Sequence, residues 1–184
     1  MQKTTDHSRF NNSWYKPGRG VLVRMIWHSV NSLLIKSGLP GSGWRCNILR
    51  LFGARIGREV VMKPCINIKY PWRLEIGNYS WIGEGVWIDN LGTVKIGSNC
   101  CLSQGAMLLC GNHHYGKVSF DLMVGDITLE DGVWIGAKAT VCPGVVCKSH
   151  SVLSVGSVAT SELTSYSIYS GNPAQKVRER NIED

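Results

Sequence analysis

Two adjacent histidines, His113 and His114, stand in the stretch LLCGNHHYGKVSF (residues 108 to 120), where Gly, Asn, Lys and Ser mark a loop. An imidazole titrating near neutrality can take a proton from a hydroxyl and pass it on, so a positioned histidine suits general base catalysis. A loop histidine is more often simply solvated, and only the elements that hold it can decide between the two. The seven cysteines (46, 65, 100, 101, 110, 142 and 147) show neither metal-ligand spacing nor a Cys, His and acid set. They read as small buried hydrophobes in a reducing cytoplasm.

The elements around the histidines repeat every six residues. From Ile76 the chain runs IGNYSW, IGEGVW, IDNLGT, resumes after two residues as IGSNCC, LSQGAM, LLCGNH, and after a gap continues LEDGVW, IGAKAT, VCPGVV, CKSHSV, LSVGSV, ATSELT. The first residue of every unit is aliphatic, Cys or Ala, and small residues such as Ser80, Ala106, Ala139 and Ser157 follow four places on. Neither a helical nor a strand period fits. One buried residue in six predicts a mainly β fold, a parallel β-helix whose three six-residue faces make a coil of about 18 residues. The repeat breaks at His113 and resumes at Leu129, which predicts a loop over about 113–127 protruding from a coil corner. His150 falls on a surface-facing place of its unit and is expected to be inert.

With 184 residues at 43% hydrophobic, the chain is sized for one soluble domain. Its organisation reads as a basic, helical extension over 1–55, the β-helix over 56–170, and a terminal turn and helix over 171–184. Residues 1 to 73 hold 13 Lys/Arg against 2 Asp/Glu, a balance of +11, whereas residues 74 to 184 hold 7 against 11, a balance of −4. No nucleic-acid-binding signature accompanies that charge. In GVLVRMIWHSVNSLLIKSG (20 to 38), Val21, Leu22, Met25, Ile26, Val30, Leu33 and Leu34 recur at helical spacing while Arg24, His28, Asn31 and Lys36 interrupt them. The segment is too short and polar to span a bilayer. Two readings stand: it caps the open end of the solenoid, or it lies on an anionic membrane with Trp27 at the headgroups and Arg45, Arg50, Arg55 and Arg58 nearby. The polar start MQKTTDHSRFNNSWYK does not read as a secretory signal, so a cytoplasmic location is expected.

The repeat resembles that of the hexapeptide-repeat acyltransferases. VWIGAKATVCPGV (133 to 145) is similar to their late-coil signature and GNPAQKVRER (171 to 180) to their terminal strand, turn and helix. LRLFGARIG (49 to 57), YPWRLEIG (70 to 77) and LSQGAMLLCGNHH (102 to 114) are most similar to the colanic acid and other polysaccharide O-acetyltransferases. The resemblance covers roughly residues 45 to 180. It implies left-handed coils, a homotrimer, and acetyl transfer from acetyl-CoA, without a metal, to a saccharide hydroxyl of a surface-glycan precursor, free or lipid-linked at the inner face of the membrane. A free sugar, a nucleotide-sugar amine or serine remain alternative acceptors.

The same resemblance assigns roles. His113 takes the position of the catalytic base, and the backbone N–H of Ala137 that of the oxyanion donor. Some relatives have Ser at Ala137, so here only the amide can serve. Trp134, Gly136, Ala137, Val155, Gly156 and Thr160 match the lining of the pantetheine arm, and Lys176, Arg178 and Arg180 the nucleotide end. Ser161 and Gln175 stand where some relatives have Lys and Arg. Asp89, Asn90 and His114 are candidate acceptor contacts, although Gly83 replaces an Asn of galactoside-type relatives. A γ-class carbonic anhydrase shares the solenoid but needs three zinc-binding histidines, and here no further pair sits at coil spacing. A non-catalytic scaffold would need neither the loop histidine nor the basic tail.

Overall fold

In the computed structural model, which describes residues 3 to 184, short strands stack into three sheets around one prism of about six turns. All pairings along the prism are parallel, as in Ile82 on Leu102 on Ile135 on Leu153. The residues that lead the hexads fill the axis: none of the twelve, from Ile76 to Ala159, is more than 3% exposed. Ser80, Ala106, Ala139 and Ser157 are buried too, which explains their small size: each sits at a corner turning inward.

Outward residues give the three faces different characters. The first face stacks Arg55, Glu75, Lys95 and Thr128 in register and is charged. The second stacks Val61, Trp81, Cys101, Trp134, Val152 and Ile168. The third stacks Asn67, Trp87, Met107, Thr140 and Val158. Trp81, Trp87 and Trp134 are 58%, 40% and 45% exposed, so two faces of the isolated chain present apolar ladders to solvent. The corner between these two faces repeats a left-handed residue, Gly85, Gly105, Lys138 and Gly156, at φ of 67°, 67°, 55° and 65°. Lys138 accepts a conformation that its neighbours give to glycine.

A solenoid leaves the backbone of its first coil unpaired, and side chains of the N-terminal helices satisfy it. Helix α1 (Val21–Val30) continues into a π-helical turn (Asn31–Ile35), and α2 spans Gly43–Leu51. On the first face, the Arg50 guanidinium donates to the carbonyls of Ile56 and Gly57. On the second, the Ser42 hydroxyl accepts from the Met62 N–H at 3.0 Å and donates to its carbonyl at 3.1 Å. On the third, the Ile68 N–H donates to Asn31 Oδ1, and Trp27 Nε1 donates to the Ile68 and Lys69 carbonyls at 3.1 and 2.9 Å.

These contacts decide the orientation of α1, and it is the reverse of an ordinary amphipathic helix. Trp27 (2% exposed), Asn31 (8%) and Ile35 (0%) face the prism, and Trp27 packs against Phe52 at 5.0 Å. Val21, Leu22, Met25, Ile26 and Leu33 point outward, between 47% and 73% exposed. Trp27 is therefore an anchor in the core and cannot sit among headgroups. Of the arginines placed beside it in sequence, Arg45 is fully buried against the Gly41 and Ser37 carbonyls, Arg50 donates to the coil edge and Arg55 pairs with Glu75, whereas Arg58 is exposed and meets no acidic side chain among the described residues. Among the described residues no helix is long and apolar enough to cross a membrane.

The chain end departs from expectation. Residues 174 to 179 are a strand, Ala174–Glu179, antiparallel to Ser167–Gly171, and no helix follows. The tail AQKVRE has good helix formers, but Ser167–Gly171 is the last rung of the second face, and a helix would leave its outer edge unpaired. Gly171, at φ +106°, turns the chain back to fill that edge.

Candidate active site

The excursion at the histidines is an ordered hairpin. Gly111–His113 pairs antiparallel with Leu122–Val124, His113 opposite Leu122, and the solenoid resumes at Ile127. The His113 ring lies over the Phe120 ring, centroids 4.4 Å apart and planes 8° from parallel, with Phe10 against it at 5.7 Å. The N-terminal segment holds this arrangement: the Asp6 N–H donates to the Val118 carbonyl at 2.8 Å, and His7 meets Phe120 edge-on. Phe120 itself sits at φ +51°, an uncommon conformation for a bulky residue, and it turns the Phe120 carbonyl toward the imidazole.

That carbonyl lies 3.0 Å from His113 Nδ1. A carbonyl can only accept, so Nδ1 carries the proton and Nε2 keeps its lone pair. The contact orients the ring and, in its neutral form, leaves Nε2 without a proton. His114 is exposed, its N–H donating to the Asp121 carbonyl, and its side chain borders a different recess with Trp14 and Lys117. Phe10 and Phe120 were not legible as site residues, since nothing in their spacing marks a partner of His113. The only trace was an aromatic seven places after the histidine, inside the loop.

The other candidates fall into two groups. Trp134, Gly136, Ala137, Val155 and Gly156 gather at the corner between the second and third faces. There the Gly156 N–H donates to the Ala137 carbonyl at 2.9 Å, and a Cβ on Gly136 would stand 2.6 Å from the Val155 nitrogen. The N–H of Ala137 has no acceptor among the described residues, so it is free to donate to a ligand. Trp134, its Nε1 on Ser103 Oγ at 2.9 Å, walls this corner, and Thr160 is exposed at the start of the next one. Arg178 is exposed on the terminal strand opposite Ile168, while Lys176 pairs with Glu179 at 2.6 Å. Arg180 is committed elsewhere, donating to the Gly132 and His150 carbonyls and tying the tail to the coils below.

Asp89 and Asn90 separate. Asp89 points outward beside the hairpin base and pairs with Lys69 at 2.8 Å. Asn90 is fully buried, its amide accepting from the Tyr70 N–H at 2.8 Å and donating to the Tyr70 carbonyl at 2.6 Å. It is a rung between coils, with nothing left for an acceptor sugar. Cys110, three residues before His113, is fully buried, and burial pushes its thiol up to about 12, so it is no nucleophile. Among the described residues no three His, Cys, Asp or Glu side chains cluster to hold a metal.

His113 and Ala137 sit at opposite ends of the third face. The hairpin leaves after Met107–Leu109, and Ala137 precedes the next rung, Thr140–Val141. The rungs of that face, two to three residues long, lie between the two corners.

A three-faced solenoid with a corner-mounted histidine and a free amide at a neighbouring corner defines the architecture of the hexapeptide-repeat transferases. Sequence comparison agrees with that class. The chain is 32% identical over 166 residues to the colanic acid biosynthesis acetyltransferase WcaF of Escherichia coli, covering 90% of this chain and 91% of that one. It is 26% identical over 143 residues to the galactoside O-acetyltransferase of E. coli, covering 76% and 70%. A hexapeptide-repeat acetyltransferase of Vibrio cholerae, solved with acetyl coenzyme A, superposes with a TM-score of 0.77 at 20% identity, covering 88% of each chain. No protein-family model matches the sequence. The protein belongs to the hexapeptide-repeat acetyltransferases, in the group that includes WcaF.

Proposed function

We propose that the protein transfers an acetyl group from acetyl-CoA directly to a sugar hydroxyl of a surface or exopolysaccharide precursor in the cytoplasm. The observation that carries this is His113, whose Nδ1 proton is held on the Phe120 carbonyl so that Nε2 can act. Nε2 takes the proton of the sugar hydroxyl as its oxygen attacks the thioester carbonyl. The negative charge gathering on that carbonyl oxygen is met by the Ala137 N–H. As the intermediate collapses, the carbon–sulfur bond breaks and the imidazolium returns its proton to the departing thiolate. The pantetheine arm runs along the corner of Gly136, Ala137, Val155 and Gly156, with Trp134 as its wall, Thr160 beyond, and Arg178 and Lys176 toward the phosphates. Asp89 contacts the acceptor.

A homotrimer completes this site. One chain keeps its base and its oxyanion donor at different corners, whereas neighbouring prisms packed through the second and third faces can set the hairpin of one against the amide corner of the next. The apolar ladders of those two faces, beside the charge of the first, support this packing. The outward apolar side of α1, in the basic N-terminal part of the chain, supports peripheral contact with an anionic membrane, where a lipid-linked acceptor would be met. Mass analysis of the host's surface glycan and its lipid-linked precursor, with the protein present and removed, tests the reading. A loss of 42 Da per modified repeat, the mass of one acetyl substituent at about 42 Da, is the expected result, and an unchanged glycan overturns it.

A further inference from the structure

The residues that interrupt the apolar pattern of α1 form the roof of a cleft. Arg24 and His28, one turn apart on the helix, and Lys36 beyond the π-helical turn face Asn67, Lys69, Tyr70, Trp87 and Asp89 on the third face across a space of about 380 Å³. Three permanent cations line it, Arg24, Lys36 and Lys69, against one carboxylate, Asp89, so three minus one leaves a balance of +2. Asp89 is already paired with Lys69 at 2.8 Å, and among the described residues neither Arg24 nor Lys36 meets an acidic side chain. Arg24 Nε is moreover buried without a hydrogen-bond partner. A guanidinium nitrogen withdrawn from water and left unpaired is costly, and cations gathered in a recess without counter-charge repel one another. An anion in the cleft would offset the repulsion and give the Arg24 guanidinium a partner.

The opposite wall is suited to a sugar. Tyr70, half-buried, offers a ring face to a pyranose, Trp87 borders the cleft from the face proposed to meet the next prism and is 40% exposed in the single chain, and Asn67, its Oδ1 engaged by Asn31 at 2.8 Å, lines the floor. The cleft also reaches the reacting region: Asp89 Oδ2 is 4.0 Å from where a Cβ on Gly111 would stand, two residues from His113.

We infer that this cleft selects an acceptor glycan carrying an anionic group, a carboxylate or phosphate attached to a sugar, with Arg24 and Lys36 as specificity residues. This rests on the proposed acetyl transfer to a saccharide and adds the charge of its substrate. Arg24, planar and able to donate two parallel bonds, is suited to grip either anion. The two anions come from different places, a uronic acid within the repeat or the phosphate that joins a glycan to its carrier, and binding can separate them.

The test is equilibrium binding to the full chain by calorimetry. The probes are a glucuronate-containing oligosaccharide, the same oligosaccharide with its carboxylate reduced to a hydroxymethyl, and the reduced oligosaccharide bearing a 1-phosphate. At least tenfold tighter binding of one charged form than of the reduced form is expected, and which form wins names the anion. Arg24→Gln and Lys36→Gln should each remove most of that preference while acetyl-CoA binding stays within about twofold. Lys36 is exposed, so its variant does not depend on refolding the site. Equal binding of charged and neutral forms, or a preference that survives both substitutions, overturns the inference. Because calorimetry reads binding and not turnover, equal binding of charged and neutral glycans by an enzyme that still acetylates a saccharide defeats this inference and leaves acetyl transfer standing. A protein that binds the charged glycan but acetylates none does the opposite.

Discussion

The imidazole of His113 is fixed from two directions by one residue, Phe120, whose ring stacks on it at 4.4 Å and whose carbonyl accepts from Nδ1 at 3.0 Å. In free neutral histidine the proton favours Nε2, so this contact is a choice with a spectroscopic signature. Nitrogen-15 spectra of the neutral protein should show His113 protonated at Nδ1 and bare at Nε2. His113→Ala should lower turnover by about 10² or more, the usual contribution of a positioned base, and leave the melting temperature nearly unchanged. His114→Ala should stay within a few-fold of wild type. A reversed pair of effects would move the base to His114.

The placement of His113 and Ala137 at different corners gives a second expectation. Light scattering should find about 61 kDa, three times the chain mass of 20.3 kDa. Two inactive proteins, His113→Ala and Ala137→Pro, the latter lacking the amide hydrogen, should regain activity when unfolded and refolded together, because a mixed trimer contains clefts with both groups intact. No recovery from well-folded mixed trimers would put the whole site within one chain.

Closure of the first coil can be measured as stability. Trp27→Ala removes a buried ring and the hydrogen bonds to Ile68 and Lys69, so a loss of about 3–5 kcal/mol is expected in denaturant unfolding. Leu22→Ser on the outward side of the same helix should cost under about 0.5 kcal/mol.

The cysteines separate by burial. Cys100, Cys110 and Cys147 are held in the prism, where burial raises their thiols to about 11, 12 and 12, whereas Cys65 is exposed. Brief iodoacetamide treatment of the native protein should label Cys65 and spare those three until it unfolds. An acetyl group found on Cys110 after mixing with acetyl-CoA would rule out direct transfer.

Membrane contact, if the outward side of α1 provides it, depends on Leu22 and Leu33, at 70% and 73% exposed, and not on Trp27. Sedimentation with vesicles containing phosphatidylglycerol should retain the wild-type protein at low salt and release it at high salt. Leu22→Glu with Leu33→Glu should abolish retention. Wild-type protein that stays in the supernatant at low salt counts against the contact.

The solenoid was legible because one rule, an apolar residue every sixth place, survives twelve repeats, and Ile76 through Ala159 obey it. The break at His113 was legible for the same reason. What periodicity cannot reveal is which side of a helix is buried when both sides have a use. The apolar set of α1 left a cap and a membrane-facing helix both open, and Trp27 was placed at the headgroups in the second; yet Trp27 and Asn31 are the residues that meet unpaired backbone at Ile68, and that demand outranks the burial of a few leucines. Asn90 looked like a ligand contact because it follows Asp89, but its side chain completes the backbone bonding of Tyr70 one coil away. At the tail, local helix preference lost to an open strand edge. For α1 and Asn90 the deciding bond goes to a residue far along the chain, and at the tail it goes to a strand whose edge only the finished coil leaves open, so no local pattern encodes either.

The closure of the first coil by Arg50, Ser42, Asn31 and Trp27 also fixes how copies of the molecule can grow together. A bare first rung would be a template on which the last rung of another prism could dock, and such end-to-end stacking has no natural stopping point. With that rung occupied by side chains from its own helices, axial polymerisation is barred at one terminus. Self-association is confined to the flanks of the prism, where a closed ring with a fixed number of members can form.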